Sequence, residues 1–214
     1  MRGKSNITLV MTLALTIAAS LLVPIGFYVN AQPQVFKDNF SNGKLDSWSI
    51  VFGTWSVQNQ RLVQNIADYG GSDNWYDRPE VIANCIVGGN FRIETNLIHR
   101  GGSSDSSGGS TAILFRYQDW GNTLFVIFHG GTNIIIGKVV NNVESNNWYS
   151  FTYSFNKEYN AVVDVDGAEI DVYVDGVLRA SNSEWGSAFS SGKIGFDTWY
   201  TAVTYDDILV TTLR

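Results

Sequence analysis

The chain has 214 residues, 20 acidic against 14 basic, for a formal net charge of −6, with seven tryptophans and a single cysteine. The absence of any basic cluster excludes the electrostatic footprint of a nucleic-acid binder. One cysteine excludes an intramolecular disulfide, so stability must come from an apolar core, with at most a metal added to it.

Residues 1–31 read as a targeting segment. Arg2 and Lys4 precede an apolar run from Ile7 to Val29, and Val29-Asn30-Ala31 has the small residues of a signal-peptidase site. Pro24 and Gly26 interrupt a helix just before it. This predicts a secreted or cell-surface protein, cut after Ala31. The run is also long enough to stay as an uncleaved anchor, the one route by which this chain would meet a membrane.

From Val35 to Leu213 the pattern predicts many short strands and no helix of more than a couple of turns. In Val35–Phe40, Phe36, Asp38 and Phe40 share a face. Trp55, Val57, Leu62 and Val63 flank a hairpin through Asn59-Gln60. Residues 67–79 (ADYGGSDNWYDRP) carry turn chemistry and the loop aromatics Trp75 and Tyr76. Cys85 sits in the apolar stretch Val81–Val87, as a buried residue would. Phe91–His99 alternates, and 101–110 is a glycine-serine loop. Ala112–Tyr117 and Thr123–Phe128 are strands around residues 118–122. Ile134–Val140 ends at an Asn141-Asn142 turn. Trp148–Phe155 is predicted as one strand with Phe151, Tyr153 and Phe155 on one face, and Asn160–Val165 follows.

The most regular alternation comes last. Ile170, Val172 and Val174 oppose Asp171, Tyr173 and Asp175, and Asp175-Gly176 supplies the positive φ of a tight turn. Strands at Gly192–Phe196 and Tyr205–Val210 close the domain. The whole predicts an all-β, antiparallel two-sheet sandwich.

The segments "YVDG", "SGKIGFDT" and "YDDILV", with "DNFSNGKLDSW" and "GTWSVQNQRLVQ" at the start, resemble the concanavalin A-like jelly rolls. They are similar to laminin-G-like domains and to related secreted sugar-binding and glycan-processing modules. The resemblance covers nearly all of residues 35–213. It implies a jelly-roll sandwich, a glycan or polysaccharide partner, and a structural calcium ion.

Four constellations bear on chemistry. Family 16 glycoside hydrolases of this fold place E-x-D-x-E on one strand. Glu169 and Asp171 begin that pattern, but Tyr173 stands where the third acid is required, so hydrolysis by that route is not expected. His99 and His129 belong to no zinc-type cluster and read as surface or edge residues. For calcium, Asp38 shares a face with Phe36 and Phe40, and Asp206 with Ile208 and Val210. An inward carboxylate needs a partner, so Asp38 with Asp206 or Asp207 could ligate the ion; backbone donors or an arginine would serve equally well. For sugar, Trp75, Tyr76, Trp120, Trp185, Trp199 and Tyr200 lie in or beside loops, and each could instead pack internally. Arg116, Asp119 and Asn122 flank Trp120 in a segment that resembles the concave-face region of glucanase-like domains. Together they offer flat apolar rings and directional polar groups, the two needs of a saccharide.

The reading that follows is a non-catalytic extracellular carbohydrate-binding or adhesion domain. A sugar-processing enzyme is the alternative, since Trp48, Gly53, Trp55 and Val57 match the "W-x-x-x-x-G-x-W-x-V" start of 3-keto-disaccharide hydrolases. A surface-filament subunit, joined through edge strands, is a third. Facing carboxylates in the groove would favour the enzyme.

Overall fold

The computed structural model describes residues 34–65, 78–101 and 108–213; Trp75 and Tyr76 lie outside them. Among the described residues there are sixteen strands and no helix. The first sheet runs in the order β14 (Val177–Asn182), β13 (Glu169–Val174), β12 (Glu158–Asp166), β7 (Phe91–His99), β16 (Val203–Thr212), β4 (Arg61–Gln64), β3 (Trp55–Gln58), with β1 (Gln34–Asp38) also on β16. The second runs β11 (Val143–Ser150), β10 (Asn133–Val140), β9 (Asn122–His129), β8 (Ser110–Asp119), β15 (Ser191–Trp199), β5 (Glu80–Ala83), β2 (Trp48–Phe52), with β6 (Val87–Gly88) also on β15. Every pairing is antiparallel.

Local sequence explains the hairpins. Asn59-Gln60, Asn141-Asn142 and Asp175-Gly176 hold positive φ at both central positions, from 50° to 76°. That geometry matches the twist of the strands they join and favours Asn, Asp and Gly. In β13 the period-two pattern is realised: Ile170, Val172 and Val174 are buried and the residues between them are not.

The two sheets enclose one apolar interior. At its centre Phe196 of β15 stacks on Tyr205 of β16, with ring centroids 3.9 Å apart and both side chains fully buried. The Tyr205 hydroxyl donates to the Ala112 carbonyl at 3.0 Å and also meets the Thr111 hydroxyl, so its polar tip is satisfied inside the core. The second sheet is buried on its outer face as well. Ala112, Leu114, Phe125, Ile127, Ile135 and Val139 form a separate apolar cluster there, which is why β8, β9 and β10 read as near-continuous apolar runs.

Four local expectations are corrected. The strand predicted over Trp148–Phe155 ends at Ser150. Beyond it the chain leaves the second sheet, and the Phe151 and Tyr153 amides bond to the Thr132 and Gly131 carbonyls of a turn instead of to a strand. Asp206 does not share a face with Ile208: Asp207 takes φ 47° in a bulge, and the register of β16 on β7 shifts between Asp206 and Leu209. His99 is no surface residue. It is 1% exposed, its Nδ1 lies 2.6 Å from the Tyr153 hydroxyl, and burial lowers its pKa to about 4. Cys85 is half-buried rather than buried, and partial burial lifts its thiol to about 11, away from reactivity.

Phe196→Ala removes the ring that joins the sheets and should lower stability by about 3–5 kcal/mol. Tyr205→Phe keeps the ring but leaves a carbonyl and a hydroxyl short of a partner, and should lower it by about 1 kcal/mol. Urea denaturation of the three proteins side by side tests the ordering.

Candidate functional site

The outer face of the second sheet carries the site. Cross-strand register places Glu80, Asp197, Ala112, Ile127, Ile135 and Trp148 in one unbroken row across β5, β15, β8, β9, β10 and β11. The neighbouring row runs Trp199, Ser110, His129 and Asn133. Between these rows lies a groove of about 350 Å³ whose lining includes Arg78, His129, Glu144, Asn146, Trp148 and Trp199. A smaller hollow adjoins it, sharing Arg78 and Ile127 and bounded by Trp120 and Asp197. Close packing shapes the floor: a Cβ on Gly137 would stand 2.2 Å from the Phe125 ring, so only glycine lets that ring lie across β10.

The walls are aromatic. Trp148 is 56% exposed and meets the His129 ring edge-on at 5.2 Å. Trp199 is half-buried, with the Arg78 guanidinium 4.8 Å above its ring. His129 is fixed in turn by Ser110, whose hydroxyl lies 2.7 Å from its Nδ1. The Asn146 side-chain amide donates to Glu144 and accepts from the Trp148 indole N–H, at 2.7 and 2.9 Å, which sets the pitch of the Trp148 ring.

Beneath the groove sits a buried polar cluster. Glu80 is 0% exposed and Asp197 3%. Asp197 has Arg78 Nη1 at 4.0 Å, while neither Glu80 carboxylate oxygen has a hydrogen bond of ordinary geometry. Burial, then the charge of Asp197, pushes Glu80 up to about 8, with Tyr117 beside it acting in the opposite direction. Burial also raises Asp197, and Arg78 counters it. Tyr117 is raised by burial and by Glu80.

The structure distributes the sequence-predicted residues widely. Trp199 and Trp120 border the groove and its hollow, and Tyr200 packs beside Trp199 with centroids 5.3 Å apart. Asp119 and Asn122 shape the turn that carries Trp120: Asp119 accepts from the Gly121 amide and the Asn122 side chain, and Asn122 accepts from the Asn141 amide. Arg116 is not brought to the groove. It adopts φ 48° in a bulge, and Tyr117 takes the outward position that unbroken alternation gives to residue 116. The Arg116 guanidinium bonds the carbonyls of Gly89, Gly186 and Phe189 and is 4% exposed. Gly192 admits this bulge, because a Cβ there would stand 2.2 Å from the Arg116 backbone.

The aspartates considered for calcium have separate partners. Asp38 accepts from the Phe40 amide at 2.8 Å and the Trp48 indole at 2.9 Å. Asp206 lies 3.5 Å from Arg61, and Asp207 accepts from the Asn96 side chain at 3.2 Å. Among the described residues no group of three or more His, Cys, Asp or Glu side chains is arranged to hold a metal ion. Glu169, Asp171 and Tyr173 lie on β13 of the first sheet, while the groove belongs to the second.

Sequence reasoning did not pick out Arg78, Glu80, Asp197, His129 or Trp148 for the site. A signal was present for one of them: Asp197 is two positions from the predicted Trp199 on one strand and so shares its face. Glu80 and Asp197 also generate a pH dependence. A carboxyl that holds its proton more tightly in the folded chain favours folding at low pH, and that contribution is lost as pH rises from the unfolded value near 4 towards the folded one. Stability should therefore fall between about pH 5 and pH 8, by an amount on the order of a few kcal/mol. Thermal melts across this range should flatten in Glu80→Gln. A melt that instead rises with pH would contradict the assignment.

No protein-family model matches the chain, and no curated protein does. Solved structures do. A carbohydrate-binding module, CBM66 from Bacillus subtilis, superposes with a TM-score of 0.63 at 20% identity, over 78% of this chain and 96% of that one. A Bacillus licheniformis β-glucanase gives 0.62 at 14% identity, over 86% and 100%. A Bacillus subtilis protein of unknown function with a galectin-like fold gives 0.66 at 11% identity, over 84% and 96%. These similarities and the two antiparallel sheets agree with one architecture: the chain folds as a concanavalin A-like jelly-roll sandwich.

Proposed function

We propose that this protein is an extracellular carbohydrate-binding domain that holds a glycan in the groove of its second sheet. The observation that carries the reading is the pairing of Trp148 and Trp199 with Arg78, His129, Glu144 and Asn146 around one cavity of about 350 Å³. That volume suits a small ligand. Indole faces match the C–H faces of a pyranose or furanose ring, and the polar groups supply directional contacts to hydroxyls. Trp148 is an exposed large aromatic on a strand edge, where nothing in the core requires it.

Solved structures of the same fold include a carbohydrate-binding module, a β-glucanase and a transglycosylase, which supports a saccharide as the ligand class. The apolar run at residues 7–29 supports an extracellular location, and no helix among the described residues is long and apolar enough to cross a membrane.

A glycan array probed with the full chain tests the reading. Trp148→Ala and Trp199→Ala should each weaken binding by about tenfold or more, on the scale of 1–2 kcal/mol for an aromatic contact. Trp148→Ala should leave the melting temperature near that of the parent, because its ring contributes little to the core. Full binding in both variants would remove the groove from consideration. Arg116→Ala is the converse control. It should cost about 2–3 kcal/mol of stability by stranding buried carbonyls, without lowering the affinity of the folded fraction.

A further inference from the structure

Glu80 and Asp197 are buried and do not line the groove, yet they are adjacent cross-strand partners at the end of the row that runs into it, and Asp197 bounds the adjoining hollow. Burying two carboxyls is costly, and Glu80 has the Tyr117 hydroxyl beside it but no hydrogen bond of ordinary geometry. Arg78 joins them to the surface. Its guanidinium reaches Asp197 on one side, at 4.0 Å, and covers the Trp199 ring on the other, at 4.8 Å, while lining both the groove and the adjoining hollow.

Charge counting decides what this arrangement does. With one proton on the acid pair, the triad of Glu80, Asp197 and Arg78 is neutral. With none, it carries one uncompensated negative charge in a desolvated place. Among the described residues, no cation other than Arg78 acts on either carboxyl. Tyr117 from β8 faces Glu80, Asp119 acts on Tyr117, and Tyr205 lies on the core side of Asp197. Glu144 from β11 acts on Arg78 and is itself an acid. Lys193 of β15 is the strand partner of Tyr117, and His129 of β9 lines the groove beside Ser110.

We propose that the Glu80–Asp197 pair is a proton-linked support for the groove, acting through Arg78 on Trp199, so that glycan binding is accompanied by uptake of a proton. This rests on the groove being the glycan site. Glu80 and Asp197 are positioning residues here and make no contact with sugar. Two physical effects give the direction. A saccharide over the groove excludes more water, which disfavours the charged state of the pair. Full ionisation also pulls Arg78 inwards from a 4.0 Å separation that leaves room to close, and so withdraws the cation that holds the Trp199 ring. Both effects strengthen binding as pH falls. Burial already lifts both carboxyls towards neutrality, so the exchange falls in an accessible range.

The test uses the full chain on an array of neutral glycans at pH 6 and pH 8, together with its tryptophan fluorescence across that range without glycan. Glycans bound by the parent should bind several-fold better at pH 6, within the limit of about tenfold per pH unit for one coupled proton. Glu80→Gln, which imitates the protonated acid, should bind at pH 8 as the parent does at pH 6 and lose the pH ratio. His129→Gln, whatever its level of binding, should keep the ratio. The fluorescence titration should vanish in Glu80→Gln and in Trp199→Phe. Equal binding at the two pH values overturns the proposal and leaves the glycan site standing, as does a ratio that survives Glu80→Gln or disappears in His129→Gln. Absence of binding at both pH values removes the glycan site and this proposal with it, and the fluorescence titration then reports separately whether the acid pair governs Trp199.

Discussion

One strand, β15, holds the two halves of this molecule's behaviour together. Its inward side chains build the sandwich: Ile194 and Phe196 are buried between the sheets, and Phe196 stacks on Tyr205 of the facing sheet. Its outward positions build the site. Gly195 gives way to the Ile82 side chain, Asp197 joins the acid pair, and Trp199 stands at the groove. Because the side-chain period of a strand is two, a one-residue slip of β15 against β8 or β5 would exchange core for site in a single step. The stack at the centre therefore secures the register on which the groove depends.

The second sheet is apolar on both faces, and this sets the electrostatics of the site. A one-sided sheet would leave its outer polar groups in water, where a carboxylate costs nothing. Here the outer row is lined by Ala112, Ile127 and Ile135, so the acids at the end of that row lose their hydration while Arg78 offsets only one charge. Under the proposed function, the aromatic rings beside it give this arrangement a place in recognition. The arginines show the same logic in opposite settings. Arg116 bonds backbone carbonyls, and Arg78 links the buried Asp197 to the half-buried Trp199 ring.

The contrast between strand and turn also explains the fate of the loop aromatics. Trp120 sits at the tip of the β8–β9 hairpin and reaches only the margin of the smaller hollow. Trp148 and Trp199 come from strands, where the sheet fixes their direction, and they form the walls proper. Rings held by a sheet lose less freedom on binding than rings held by a turn, which favours them as the platform for a rigid saccharide.

What the amino-acid sequence determined by itself was local and periodic. Alternation in Ile170–Val174 and Phe91–Leu97, and the Asn59-Gln60, Asn141-Asn142 and Asp175-Gly176 turns, depend on residues within a few positions of each other, and they made the all-β sandwich legible. Tertiary structure alone decided the site. The bulge at Arg116 exchanged its place with Tyr117, and the bulge at Asp207 turned Asp206 away from the core, because one extra residue in a strand inverts every later facing. Glu80 and Asp197 are 117 positions apart in the chain and became neighbours only when β5 was laid against β15. Pairing across that distance is set by which strands share an apolar interior, a property of the assembled sheets that no window of sequence contains.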